Sequence, residues 1–169
     1  MAKLKVDIRE SIELNNSKYD SFNSYVVEGV NEISKRIVTV PKTEQDLIAI
    51  SGSVGAGSFL TSDVRYMRFT NIGASADPTA NIRLTFKNTK DNEFMVKIPT
   101  GGSFMYQGIS GSGVTSTLAC SGSALSASLG DNTLGDFNDT LGSLSLITAI
   151  SSGSEDVVGC DIEYFIASN

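Results

Sequence analysis

Apolar and polar residues alternate along much of this chain. In KLKVDIRESIEL, near the start, Leu4, Val6 and Ile8 point one way and Lys5, Asp7 and Arg9 the other, the pattern of a half-buried strand. The polar cluster NNSKYDS then breaks it. SYVVEGVNEISKRIVTVP reads two ways: Val26, Val30, Ile33 and Ile37 fit a helical stripe, yet RIVTVP is β-branched and ends at a proline. We read residues 33–40 as strand and 24–32 as leaning extended, with a helix over 24–32 as the alternative.

Short strands follow at regular intervals. DLIAIS is an apolar run ended by the Gly-rich GSVGAGS. DVRYMRFTN alternates, with Val64, Tyr66 and Arg68 opposite Arg65, Met67 and Phe69. NIRLTFK, NTKDN and EFMVKIP read as a hairpin that places Ile82, Leu84 and Phe86 on one face and Arg83 and Lys87 on the other. GGSFMYQG adds a strand after a Gly-Gly turn, and SLSLITAIS another beyond the turn-rich DNTLGDFND. In the closing DVVGCDIEYFIAS, Val158, Cys160, Ile162, Tyr164 and Ile166 oppose Asp161 and Glu163. Many short strands and no sustained helical period predict an all-β chain, an antiparallel β-sandwich of jelly-roll type, in one domain over residues 1–169. Ile8, Phe69, Leu84, Phe86, Ile162, Tyr164 and Ile166 are the expected core, and Cys160 a small buried hydrophobe among them.

Charge breaks the chain into two unlike parts. All 13 Lys and Arg lie within residues 1–97 beside 12 acids, a local net of +1, whereas residues 98–169 carry 7 acids and no base. The cations are interleaved with carboxylates, so no basic stripe exists to neutralise a phosphate backbone, and no nucleic-acid partner is expected. No apolar run reaches membrane-spanning length and no secretory h-region opens the chain, so neither membrane nor export is expected.

From Ile98 to Gly130 there is no charged residue at all. Residues 108–130 hold 7 Ser and 5 Gly, with Ile109, Val114, Leu118, Leu125 and Leu129 spaced among them. Small uncharged residues dotted with aliphatics suit close contact between subunits, where charge is depleted. A long insertion of this kind is otherwise a flexible loop or an ordinary pair of strands. These five aliphatics are the candidate subunit contacts.

Candidate chemistry is sparse. The chain has no histidine, which removes the usual general base and the imidazole metal ligand, and two cysteines without histidine build no standard zinc site. GSVGAG lacks the Gly-Lys-Ser/Thr of a phosphate loop. Asp131, Asp136 and Asp139 offer oxygen ligands, but their spacing fits no EF-hand and turn chemistry accounts for them equally. No cofactor, no metal and no enzymatic activity are expected, and a Cys120–Cys160 disulfide is not expected in a reducing cytosol.

The succession IELNN, EISKRIVTVP, DVRYMRFTNIG, FMVKIPTGGSFMYQG, LGSLSLITAIS and DIEYFIAS resembles small virion structural proteins of tailed bacteriophages, those of marine and cyanobacterial phages in particular. YMRFTN and KIPTGGSF carry most of that resemblance. It implies a particle component assembled in the host cytoplasm: a capsid decoration or cement protein on the outside of a phage head. Its implied partners are the major capsid protein or another virion protein, and further copies of itself, as a trimer by preference. The alternatives are a tail, neck or fibre-associated β-domain and a carbohydrate-binding β-sandwich.

Overall fold

In the computed structural model the described residues are 2–53, 55, 58–60, 62–73, 79–89, 93–107, 144–152 and 159–169. They are all-β, with no helix among them. In chain order the strands are β1 (Ala2–Leu14), β2 (Ser17–Val30), β3 (Glu32–Val40), β4 (Gln45–Ser51), β5 (Ser58–Leu60), β6 (Val64–Gly73), β7 (Ile82–Asn88), β8 (Glu93–Ile98), β9 (Ser103–Gln107), β10 (Leu144–Ser151) and β11 (Cys160–Ser168). β3-β11-β6-β9 form one sheet, β5-β4-β10-β7-β8 a second, and β1-β2 a separate ribbon. The two larger sheets face each other across one apolar core, which makes the body a β-sandwich.

The pairing is nested. Leaving aside the ribbon and the short parallel edge strand β5, the first strand of the body pairs with the last, β3 with β11. The next pairs are β4 with β10, β6 with β9 and β7 with β8, all antiparallel. The strands from β3 to β11 are thus paired as in one long hairpin, rolled until β11 also meets β6 and β10 also meets β7.

Phe86 lies at the centre of the core. Its ring stacks on Phe94 at 4.6 Å and meets Phe104 and Phe69 edge-on at 5.4 and 5.9 Å. Of the seven expected core residues, Phe69, Leu84, Phe86, Ile162, Tyr164 and Ile166 are buried, and Cys160 with them. Ile8 is not: it is half-buried on β1, outside the sandwich. The alternation around it is genuine, but it belongs to a ribbon rather than to a core sheet. Two further readings are corrected. NNSKYDS does not end the strand region, since β2 begins at Ser17 straight after the Asn15–Asn16 turn. Val64 does not share the Tyr66 face, because the pairing with β11 slips between Ala167 and Ser168. Val64 joins Met67 and Phe69 inside the sandwich, while Tyr66 packs outside. The open segment 24–32 is extended as far as Val30.

One buried polar side chain ties three parts of the body together. Asn71 is fully buried. Its Nδ2 donates to the carbonyls of Ala80 and Ile98 at 3.0 Å each, and its Oδ1 accepts from Gly73 N at 2.9 Å and from Cys160 Sγ at 3.0 Å. The side chain is therefore fully satisfied, as burial demands.

Two truncations check these assignments by denaturant titration. Phe86→Ala should cost about 3–5 kcal/mol, the range for emptying a large aromatic site. Asn71→Ala, which leaves buried amide and carbonyl groups short of a partner, should cost about 2–4 kcal/mol. A loss near zero for either variant would show that the site is not the packed one described.

Candidate interaction surfaces

The β1–β2 ribbon is an arm. Asn15 and Asn16 both take positive φ, 52° and 60°, which is the two-residue I′ turn that matches the twist of a hairpin. At the other end, Lys3 faces both Glu28 and Gly29, and Gly29 takes φ 70° in the resulting bulge. There Leu4, Val6, Tyr25, Val27 and Val30 pack against Tyr66, Phe165 and Ala167 on the outer side of the sandwich. Beyond that root every residue from 9 to 24 is exposed. Six residue pairs, Arg9–Phe22 to Leu14–Ser17, therefore extend into solvent, about 20 Å at strand rise.

Pairing register sorts the arm into two faces. Leu4, Val6, Ile8, Glu10, Ile12 and Leu14 share one face with Val27, Tyr25, Asn23, Ser21, Tyr19 and Ser17. Over its outer half this face is apolar apart from Glu10 and small polar groups, with Ile12 58%, Leu14 56% and Tyr19 60% exposed. The other face carries Lys5, Asp7, Arg9, Glu13, Lys18 and Asp20, and pairs its own charges: Lys5–Asp7 at 3.1 Å and Lys18–Asp20 at 3.2 Å. Phe22 and Val26 are exposed on it too. The sequence signal for this arm was Asn-Asn directly after an alternating run.

The sheet that seats the arm has an outer face of its own. Rows of paired residues cross it: Ile33, Ala167 and Tyr66, then Lys35, Phe165, Arg68 and Met105, then Ile37, Glu163, Thr70 and Ser103. The arm root covers the Ala167, Tyr66 and Phe165 region. Ile33, Ile37, Ile72 and Met105 remain exposed around it. Between them Glu163 receives Lys35 Nζ at 3.0 Å and Arg68 Nη2 at 2.6 Å. The hydrogen bond from Lys35, with the charges of both cations, holds the Glu163 carboxyl below the ordinary range. Beside the opposite sheet Glu44, just ahead of β4, accepts from Lys87 Nζ at 2.8 Å and Thr148 Oγ1 at 2.6 Å, and the Lys87 bond leads in lowering its pKa.

A cleft of about 450 Å³ opens between β3 and the β4–β5 edge, with Ile48, Phe59 and Tyr164 in its wall and Glu32, Arg36 and Asp63 among its polar groups. Asp63 accepts from Ser62 Oγ at 2.9 Å. Glu32 and Arg36 are exposed on one edge strand. With no histidine in the chain, no imidazole base can serve this cleft. Among the described residues no three His, Cys, Asp or Glu side chains gather closely enough to hold a metal, and no helix is long and apolar enough to cross a membrane.

The sequence-predicted contacts Ile109, Val114, Leu118, Leu125 and Leu129 lie outside the described residues, as do Cys120 and the Asp131, Asp136 and Asp139 cluster. Compared with protein families, curated proteins and solved structures, the chain matches none.

The ion pairs set the pH response. Glu44, Glu163, Asp7 and Glu28 are all lowered in the folded chain, by hydrogen bonds from Lys87, Lys35, Ser24 and Lys3 respectively. A lowered carboxylate contributes stability above its unfolded pKa and loses it as pH falls through the folded one. Denaturant midpoints should therefore hold nearly level from about pH 8 down to about pH 6 and decline below about pH 4.5, where the unfolded carboxylates take up protons first. A midpoint that rises on acidification would contradict these pairings.

Proposed function

We propose that the chain is a non-enzymatic structural component of a tailed-phage particle, a capsid decoration or cement protein on the outside of the head. The observation that carries this reading is the nested strand order. In this reading β3-β11-β6-β9 against β4-β10-β7-β8 is the winding of a jelly roll, an architecture recurrent in viral capsid and lectin domains. Fold alone does not assign function, so the surface must agree. The arm supports the reading: a ribbon with sixteen consecutive exposed residues contributes nothing to an enclosed site and suits contact with another molecule. The mixed-charge surface, on which Lys3, Arg68 and Lys87 pair with carboxylates, suits the outer side of a shell rather than packaged nucleic acid.

In this reading the uncharged segment around Ile109, Val114, Leu118, Leu125 and Leu129 faces the major capsid protein or another virion protein, since an unpaired charge there would be costly to bury. The lectin alternative needs aromatic rings free to stack on sugar. Tyr66 and Tyr164 are buried, Tyr25 and Tyr106 half-buried, and Tyr19, the one exposed tyrosine, stands on the arm. That distribution favours the structural reading.

Quantitative mass spectrometry of purified particles encoded with this chain tests the proposal. The expected copy number equals the number of capsid subunits or a simple fraction of it. Absence from the particle would overturn the reading, and a handful of copies would move it to the tail or neck.

A further inference from the structure

The two sheets of the sandwich differ in width. Read across the body in one direction they run β3-β11-β6-β9 and β4-β10-β7-β8, and β5 stands outside β4 with no strand across from it among the described residues. The cleft of about 450 Å³ lies at this open side, between β3 and the β4–β5 edge. There β3 is the edge of its sheet and pairs with β11 alone. On its other side Thr39 O accepts from Gln45 Nε2 at 3.3 Å, and no described strand pairs with Ile33 to Ile37. An edge of this kind is a template for one more strand.

The polar groups of the cleft are sorted by sign. Glu32, Ser34 and Arg36 alternate along β3 and so share the face that lines it. Glu32 and Arg36 stand about 13 Å apart at strand rise, too far to pair with each other. Neither makes an ion pair with any other described residue. Asp63 adds a second carboxylate at the Glu32 end, where Glu32 pairs with Ser168 and Asn169 N donates to Asp63 O. At the other end Tyr164 is the register partner of Arg36. Tyr164 lines the cleft at 6% exposure, and its phenol makes no hydrogen bond with a described residue, although a buried tyrosine hydroxyl usually has one. Leu47, Ile48 and Phe59 supply an apolar wall.

We propose that this cleft seats an extended segment of another protein, added antiparallel to the free edge of β3 so that it stands across from β5. Its inward side chains are acidic opposite Arg36, apolar opposite Ser34 and basic opposite Glu32. That is acid-x-apolar-x-base along the segment. Main-chain bonds to β3 supply affinity and the alternate side chains specificity, as strand addition does elsewhere. The acid receives the guanidinium and phenol donors, the base meets Glu32 and Asp63, and the middle side chain packs on the apolar wall. Antiparallel pairing continues the pattern of the sheet, whose pairs are all antiparallel. Residues 98–169 hold no Lys or Arg to answer Glu32 and Asp63, so the occupant is not the later part of the same chain. The proposal rests on the open side of the sandwich and not on any virus particle.

The test titrates the isotope-labelled full-length chain with the peptide ETVTK, acetylated and amidated, and follows the amide resonances. Saturable shifts at millimolar peptide should centre on residues 32–38, Phe59 and Tyr164, with slowed amide exchange along β3. The neutral peptide QTVTQ should bind at least about threefold more weakly, since it forfeits both cross-strand charge pairs. Glu32→Lys with Arg36→Glu should turn the preference from ETVTK to KTVTE by about fivefold. Both positions are exposed, so this variant should keep the wild-type circular dichroism. Absence of saturable shifts with ETVTK would overturn the proposal, as would equal binding of ETVTK and QTVTQ, a response centred away from the cleft, or a charge-exchanged variant with unchanged preference. A wild-type chain that self-associates in light scattering and protects β3 without peptide would also overturn it, in favour of a second copy on that edge. None of these results touches the particle assignment, which copy number in virions decides separately.

Discussion

The seating of β11 between β3 and β6 is the interaction on which the rest of the structure depends. Its inner face supplies Cys160, Ile162, Tyr164 and Ile166 to the sandwich core, and its outer face supplies Phe165 and Ala167 to the seat of the arm. Its end fastens neighbouring corners: Ser168 O accepts from Asn31 N at 2.8 Å, and Asn169 N donates to Asp63 O at 2.9 Å. One nine-residue strand therefore links the two hydrophobic clusters. Because β11 pairs with residues 32–40 near the other end of the chain, neither cluster is complete until the most distant segments have met. Such non-local pairing gives a slow-folding topology.

Nested pairing explains where polar groups had to be buried. Rolling a long hairpin into two layers forces the chain over the sandwich edge between β6 and β7 and again between β8 and β9. Strand ladders cannot satisfy the backbone at those corners, and each unmade buried hydrogen bond is expensive. Asn71 meets that demand from a single position, reaching the carbonyls of Ala80 and Ile98 while its own backbone bonds Gly102 O and Gly101 N. Thr100 Oγ1 adds a second bond to Ala80 O at 2.7 Å. A hydrophobic residue of similar size would fill the same space and leave those carbonyls short of donors. Cys160, which donates its thiol hydrogen to Asn71 Oδ1, belongs to this node as well as to the apolar core.

How much of this was legible in the residues follows from what period-two alternation reports. It registers which side of a strand is apolar, and that sufficed for β7 and β11, where one side meets the core and Phe86, Ile162 and Ile166 were placed correctly. It does not say what covers the apolar side. Ile8 and Phe86 sit in equally clean patterns, yet one stands on a ribbon and the other at the centre of four aromatic contacts. Nor does alternation survive an inserted residue: the slip in β6 moved Val64 to the opposite face from Tyr66. The arm escaped because β2 carries few apolar residues over Ser17–Ser24, so its partner strand looked like a broken end. Candidate contacts were placed where charge vanishes, in 108–130, while the exposed apolar surface of the described residues lies among charged ones.

That last contrast bears on how an interaction surface is built. A two-stranded ribbon is marginal by itself in water, and an uncovered one exposes edges that invite unwanted pairing. This arm counters both tendencies with charge. Lys5, Asp7, Lys18 and Asp20 form pairs along one face, and Ser24 Oγ donates to Asp7 Oδ1 at 2.6 Å across the ribbon. Asn15 and Asn16 preset the turn, which fixes the register and so keeps the apolar set on one side. A one-residue slip would put Ile12 and Leu14 among the salt bridges. By holding the register, the turn determines which face is apolar, and with it which side of the arm is available to another molecule.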